Sequence, residues 1–417
     1  MKQRLAPLSD TIQRLLPEIT SVYQDLHAHP ELSMQEFRTA GIVAHFLNKL
    51  GYDVSEKIGV TGVVGILRNG DGKTVMLRAD MDALPMEEHT GLPFASKVSA
   101  ETLEGVKTPV AHMCGHDLHV AWMLGVASVL AQHRDAWQGT LMLVFQPGEE
   151  TASGALAMIA DMKTDFPKPD IILGQHVMVG DAGTVSCRPG AILTAGDSLQ
   201  VKFLGRGAHG SNPQNAIDPV MMAAFTAVRL QTIVSRETSP LDSTVLTIGA
   251  IQGGNKENII PDDALLKLNI RTWDDAVRTR VLDSVTRICT CESHASGAAD
   301  PEISVISRYP LTGNDRDSTE RLGKSFTTFF GARALLAEPA MNSEDFSHFG
   351  RSWNVPYVFW FVGGTEKSVW AEAVKKNTTH QIPANHSSMF KIELDPTLQT
   401  GIEAMIVAAF TWLSCCG

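Results

Sequence analysis

Apolar residues recur at helical spacing through about residues 8–27 and again through about 35–50, which predicts two amphipathic helices early in the chain. Two short β-rich runs follow, Val60–Arg68 and Thr74–Ala79, and the glycine-rich Asn69-Gly70-Asp71-Gly72 between them reads as a hairpin turn. Leu118–His133 returns to helical spacing, whereas Thr140–Phe145 and Ile171–Leu173 are compact apolar runs of the kind that fill buried strands. Strands alternating with helices in this way imply an α/β sheet covered on both faces.

Near residue 190 the pattern changes. Strand Ser198–Leu204, helix Ala216–Ser235, strands Thr244–Ile251 and Ala264–Thr272, helix Asp275–Glu292 and strand Glu302–Ser307 form a β-α-β-β-α-β series, the ferredoxin-like arrangement. The α/β pattern then resumes through Phe326–Leu336, a strand at Tyr357–Val362 and a helix near Pro396–Leu413. The expected organisation is an α/β domain in two parts, 1–189 and 309–417, interrupted by an inserted βαββαβ domain at 190–308.

Composition narrows the classes of function. A chain of 417 residues exceeds what one compact core serves, and 44% apolar with 19% charged residues is ordinary for a globular protein. The formal net charge of −11 argues against general nucleic-acid binding and favours a small-molecule partner. No stretch approaches the roughly 18 apolar residues of a membrane span. Lys2 and Arg4 are followed by Pro7, Asp10, Gln13, Arg14 and Glu18 among the leucines, which is not a secretory leader, so the cytoplasm is the expected location. The six cysteines are irregularly spaced and give no disulfide framework. Cys187, Cys289, Cys291, Cys415 and Cys416 read as ordinary thiols, the last two in a loose tail; Cys114 has different company.

That company is Met113-Cys114-Gly115-His116-Asp117, then Gln146-Pro147-Gly148-Glu149-Glu150 after one apolar run and Gly174-Gln175-His176 after another. A soft thiolate, imidazoles and a carboxylate, all expected just beyond strands or at helix starts, suit a divalent ion such as zinc or manganese. Gly115 lets the backbone turn tightly enough for its two neighbours to reach one centre. Asp117 is a candidate to orient a ligand imidazole, and His112 and His119 read as outer neighbours rather than ligands. Glu149 and Glu150 leave the backbone in different directions, so one can hold metal while the other faces substrate; read alone, they are acids at a helix start. His176, at the end of a strand, and His386, in Asn385-His386-Ser387, are each ambiguous alone. Together the segments reinforce one another.

The chain resembles the aminoacylase-type metallopeptidases, in the amidohydrolase branch that includes hippurate hydrolases and hydrolases of auxin–amino-acid conjugates. The resemblance runs over nearly the full length. It rests on Leu77-Arg78-Ala79-Asp80-Met81-Asp82-Ala83-Leu84-Pro85, Cys114-Gly115-His116-Asp117, Gln146-Pro147-Gly148-Glu149-Glu150, Gly207-Ala208-His209-Gly210, Asn258-Ile259-Ile260-Pro261-Asp262, Asn342-Ser343-Glu344-Asp345-Phe346 and His386-Ser387. It implies a zinc-peptidase-like α/β catalytic domain with a ferredoxin-like lid and dimerisation domain. It further implies two divalent ions per subunit, zinc foremost with manganese or cobalt as alternatives, held by Cys114, His116, Glu150, His176 and His386. Glu149 takes the place of the general base and Asp82 that of the supporting acid. Asp80 stands where many relatives carry a histidine ligand, as in the branch that uses the cysteine. His209 is similar to the histidine that steadies the oxyanion in a neighbouring subunit's site, which implies a homodimer through the inserted domain. Asn258 and Arg271 resemble lid residues that hold the substrate's amide and carboxylate ends. Ser387-Ser388 departs from the Ser-Pro pair common in relatives and leaves the ligand in place.

The resemblance therefore implies hydrolysis of N-acyl amino acids to a carboxylic acid and a free amino acid. A dipeptidase or carboxypeptidase would need a group for a free amino terminus or a longer groove, and the sequence shows no dedicated ammonium anchor. A binding protein that has lost catalysis is at odds with an intact Glu149 and five intact ligands. The acyl group and the amino acid are not legible in the motifs.

Overall fold

A computed structural model describes residues 2–162 and 165–413. The tail cysteines Cys415 and Cys416 lie outside them. The chain forms two compact units, one of Met1–Ile192, Gly313–Glu338 and Asp345–Gly417, the other of Leu193–Thr312 with Pro339–Glu344.

The first unit is built on an eight-stranded sheet, in the spatial order Asp53–Ile58, Gly62–Asn69, Gly139–Gln146, Thr74–Asp80, Ile171–Asp181, Tyr357–Thr365, Val185–Cys187 and Ala334–Leu336. The four central strands, Gly139–Gln146 through Tyr357–Thr365, run parallel. They are buried almost throughout, as parallel strands with helices on both faces must be. The expected hairpin is absent: Gly62–Asn69 pairs antiparallel with Asp53–Ile58 and with Gly139–Gln146, which sits between it and Thr74–Asp80. Asn69–Gly72 does reverse the chain, with Gly70 at φ 77°. A turn fixes the reversal alone, and the long apolar Gly139–Gln146 strand takes the central slot because both its faces need burying.

Two helices are apolar all round. His116–Gln132 is buried from His116 to Leu130, and Leu394–Trp412 is buried from Thr397 onward except at Gln399. A helix without a polar face belongs inside a core, and these two pack on each other. Their approach depends on Gly401, where an added Cβ would lie 2.0 Å from the Trp122 ring. Trp122 Nε1–H donates to Thr397 C=O at 3.1 Å, and Gln175 donates to Gly401 C=O at 3.0 Å.

The second unit has a four-stranded antiparallel sheet in the order Thr244–Gly253, Asp263–Thr272, Ala195–Leu204, Glu302–Tyr309. With helices Pro219–Thr232 and Asp275–Ala295 this is the ferredoxin-like topology. Ala264, Leu266, Leu268, Ile270 and Thr272 alternate inward, and the first four join a core with Val201, Phe203, Leu230, Val281 and Val285. Both helices start at an aspartate cap: Asp218 accepts Val220 and Met221 N–H, with Pro219 at the first helical position, and Asp274 accepts Ala276 and Val277 N–H.

Candidate metal centre

The candidate ligands of the first unit gather at the carboxyl ends of its parallel strands, where open α/β sheets form crevices. Asp80 closes one strand and Asp82 follows it, and Gln146 closes the next and leads into Glu149 and Glu150. His176 differs from expectation, since it lies inside a strand that continues to Asp181. The cause is stagger: pairing with Thr74–Asp80 stops at Gly174, while Tyr357–Thr365 carries the strand onward. His176 thus emerges past a neighbour's end without the strand ending.

Gly115 turns the chain at φ 89°, and an added Cβ would meet Val177 at 2.5 Å, so both conformation and space require glycine there. His386 also sits at positive φ, 70°. Its turn is tied down by His386 N–H donating to Met113 C=O at 2.8 Å, and by Asn385 Nδ2 donating to the carbonyls of Cys114 at 3.0 Å and Val177 at 3.1 Å.

Cys114 Sγ lies 3.4 Å from His176 Nε2 and 3.3 Å from His386 Nε2, and Glu150 Oε1 lies 3.2 Å from His386 Nε2 and 3.9 Å from His116 Nε2. All five expected ligands are therefore brought together. Ligand atoms of Cys114, Glu150 and His386 form one tight group and those of His116, Glu149 and Glu150 another, with Glu150 common to both.

The protonation pattern suits a cation. His116 Nδ1–H donates to Asp82, at 2.9 Å to its C=O and 3.2 Å to Oδ1, which turns Nε2 inward. That Nε2 is buried and has no hydrogen-bond partner among the described residues. His176 Nδ1–H donates to Val177 C=O at 2.7 Å, so its Nε2 lone pair faces Cys114. Burial and the Glu150 charge raise the Cys114 thiol, against His116 and His386. Burial opposes charge on His386, but Cys114 and Glu150 outweigh it and push its pKa up to about 10. An orphaned imidazole nitrogen, a second imidazole lone pair turned toward a thiol, and clustered carboxylates fit a divalent transition ion.

Asp117 does not orient a ligand; it faces His27 at 2.6 Å. Asp82 does that work on His116, and its Oδ2 in turn accepts Ser33 Oγ–H at 2.7 Å and Glu150 N–H at 2.9 Å. His119 has both nitrogens engaged, Nδ1–H donating to Asp80 at 2.5 Å and Nε2 accepting Val177 N–H at 3.0 Å, as an outer neighbour would. Glu36, which no motif marked, accepts Gly148 N–H at 2.9 Å and the Thr61 hydroxyl at 2.5 Å, holding the loop that carries Glu149. Burial, then the Asp82 charge, raise its pKa to about 7.

Arg78 is 1% exposed and donates to Asp80 at 2.6 Å, Gln146 at 2.8 Å and Asp345 at 3.1 Å. Burial raises the Asp80 pKa, but Arg78 first and then His116 and His119 hold it well below the usual carboxylate range. Replacing Arg78 by Met leaves buried carboxylates without their guanidinium and is expected to cost about 3–5 kcal/mol, read as a lower denaturation midpoint in urea.

In the second unit, His209 pairs with Ile259, next to Asn258, and Gly210 N–H donates to Asn258 C=O at 2.8 Å, so these two candidates lie together. His209 is exposed, with Nδ1 accepting Ser211 N–H at 3.1 Å. Arg271 stands apart from them, donating to Asn269 at 3.0 Å and Ser343 at 2.5 Å.

A model of the peptidase family M20/M25/M40 matches residues 76–381. The chain is 37% identical over 348 residues to a hippurate hydrolase of Campylobacter jejuni, covering 82% of this chain and 87% of that protein. It is 34% identical over 394 residues to thermostable carboxypeptidase 1 of Saccharolobus solfataricus, covering 93% and 94%. Among solved structures, a dinuclear metal-binding peptidase of the M20 family from Bacillus subtilis superposes with a TM-score of 0.74 at 26% identity, over 96% of this chain and 99% of that one.

Proposed function

The chain belongs to the peptidase family M20/M25/M40 and is a metal-dependent hydrolase of amide bonds, and we propose that its substrates are N-acyl amino acids. The observation that carries the reading is the convergence of Cys114, His116, Glu150, His176 and His386 around an orphaned His116 Nε2, with Glu149 beside them. These five would hold two divalent ions, with zinc favoured by the thiolate and manganese or cobalt as alternatives. When bound, such ions lower the pKa of water and polarise an amide carbonyl.

The remaining steps belong to side chains. Glu149 takes the proton of the attacking water and returns it to the leaving nitrogen. Asp82 keeps His116 in the tautomer that offers Nε2. Arg271 supplies a cation for the amino-acid carboxylate, and Asn258 a hydrogen bond to the amide. His209, from the other subunit of a dimer, steadies the oxyanion, a contribution typically worth about 3–4 kcal/mol. The second unit then serves as lid and dimerisation domain. Dimerisation is supported by exposed Met221, Phe225 and Val228 along one face of Pro219–Thr232, beside the edge strand Thr244–Gly253 with exposed Val245 and Ile251. No helix among the described residues is long and apolar enough to cross a membrane, and the free thiols Cys114, Cys187, Cys289 and Cys291 suit a reducing cytoplasm.

The carboxypeptidase relative favours a second reading, in which the acyl part is a peptide. Both readings share an amide nitrogen carried by a residue with a free carboxylate. Chelated protein is expected to lose hydrolysis of an N-acyl amino acid and to regain it with zinc, manganese or cobalt. A metal-free protein working at full rate would overturn the metal reading. A panel of acyl amino acids, their carboxamides and peptides then separates the two substrates: faster turnover of peptides selects the second, and equal turnover of carboxamides removes the Arg271 anchor.

A further inference from the structure

The Cys114–His116 segment and the His386 turn are far apart in sequence; besides the direct bonds of His386 N–H to Met113 C=O and of Asn385 to Cys114 C=O, one buried side chain outside both adds a second link. His27, near the end of the Lys2–Ala28 helix, is 4% exposed. Its Nδ1 lies 2.6 Å from Asp117 Oδ2 and its Nε2 lies 3.1 Å from Glu88 Oε1. A neutral imidazole has one N–H and would set a lone pair against one of these carboxylates, so both nitrogens donate and the ring is a cation. Burial works against that charge, yet the charge and hydrogen bond of Asp117, with Glu88, push the pKa up to about 10. Phe94 stands edge-on to His27 and Tyr23, with ring centroids at 5.3 and 5.9 Å.

Each carboxylate leads to the candidate centre. Asp117 follows His116 in the first turn of its helix, and its Oδ1 accepts Leu118 N–H at 2.9 Å. Glu88 is held by the Thr90 hydroxyl and by Ser96 N–H, the latter at 2.7 Å. The next residue, His89, donates its N–H to Ser388 C=O at 2.7 Å, two residues beyond His386. The His386 side chain is 51% exposed, so its own packing cannot fix it; the turn depends on such ties.

We propose that His27 is a positioning residue: a buried cation bridging Asp117 and Glu88 that sets the Cys114–His116 segment and the His386 turn at the separation a metal centre needs. The inference rests on the metal reading above.

The test uses His27→Gln, Glu88→Gln and the double variant, each freed of metal and titrated with cobalt(II) against a competing chelator. Readouts are the dissociation constants, the cobalt–thiolate absorption that reports Cys114 ligation, and the melting of the metal-free protein. Each single variant is expected to bind cobalt about 10–100-fold more weakly, as loss of outer partners does, with weakened thiolate absorption. The double variant should be no worse than the weaker single one, because both act through one bridge. A purely structural role would lower melting while leaving cobalt affinity and absorption of the folded protein unchanged, and that result overturns the proposal. Should His27→Gln fail to fold, Glu88→Gln, whose amide oxygen can still accept Ser96 N–H, decides alone. A parent that takes up no cobalt defeats the metal reading and the inference with it; variants that match a two-ion parent defeat the inference only.

Discussion

Glu149→Gln protein is expected to bind its metal ions as the parent does, to melt at a similar temperature and to lose about 10²–10⁴-fold in kcat. The side chain is 5% exposed and follows Gly148, whose N–H is fixed by Glu36, so the amide should occupy the same space. What it lacks is a carboxylate to accept the proton of the attacking water. Metal analysis and steady-state kinetics on the purified variant read both parts. A kcat within about tenfold of the parent, roughly 1.4 kcal/mol in barrier, would remove Glu149 from the base role, and loss of metal with activity would make it a ligand instead.

His209→Ala should retain metal and dimerisation yet lose turnover, because the exposed histidine sits in the second unit while the candidate ligands all belong to the first. Neither His209→Ala nor Glu149→Gln protein is expected to be active alone. After subunit exchange of equal amounts, half the dimers are mixed and each carries one site with both residues intact, so about a quarter of parental specific activity should return. Heterodimers seen by mass spectrometry without recovered activity would show that His209 does not act across an interface. Recovery selects that role over a turn histidine whose job is confined to its contact with Ser211.

The two predictions differ in how much the sequence alone supports them. Glu149 was marked by adjacency to Glu150 after an apolar strand, a signal local enough to read directly. His209 was marked by resemblance alone, since a glycine-flanked histidine in a surface turn has no local signature of catalysis. The structure adds that His209 and Asn258 share a two-stranded pairing, while Arg271 lies on a different part of that unit.

Periodicity by itself marked the two early helices, the buried His116–Gln132 and Leu394–Trp412 helices, the central apolar strands and the βαββαβ order of the second unit, because burial of an apolar stripe or face is a local demand. The Gly154–Met162, Arg316–Phe330 and Lys367–Lys376 helices were not singled out by it. Motifs marked the candidate ligands: Cys114, His116, Glu150, His176 and His386 carry donor atoms whatever the fold, and the structure adds that position 115 requires glycine. Partnership was left to tertiary structure. Asn69–Gly72 looked like a hairpin, yet Gly139–Gln146 separates its strands, since a turn encodes a reversal and not a neighbour. His176 lies in mid-strand because adjacent strands end at different heights. Asp117, next to His116 in sequence, is a candidate to orient an imidazole, but the carboxylate that orients His116 is Asp82, and Asp117 serves His27 from 90 residues away. Arg78 likewise meets Asp345 across 267 residues. A buried charge must find an opposite charge or a donor wherever the fold supplies one, and sequence distance places no limit on that choice.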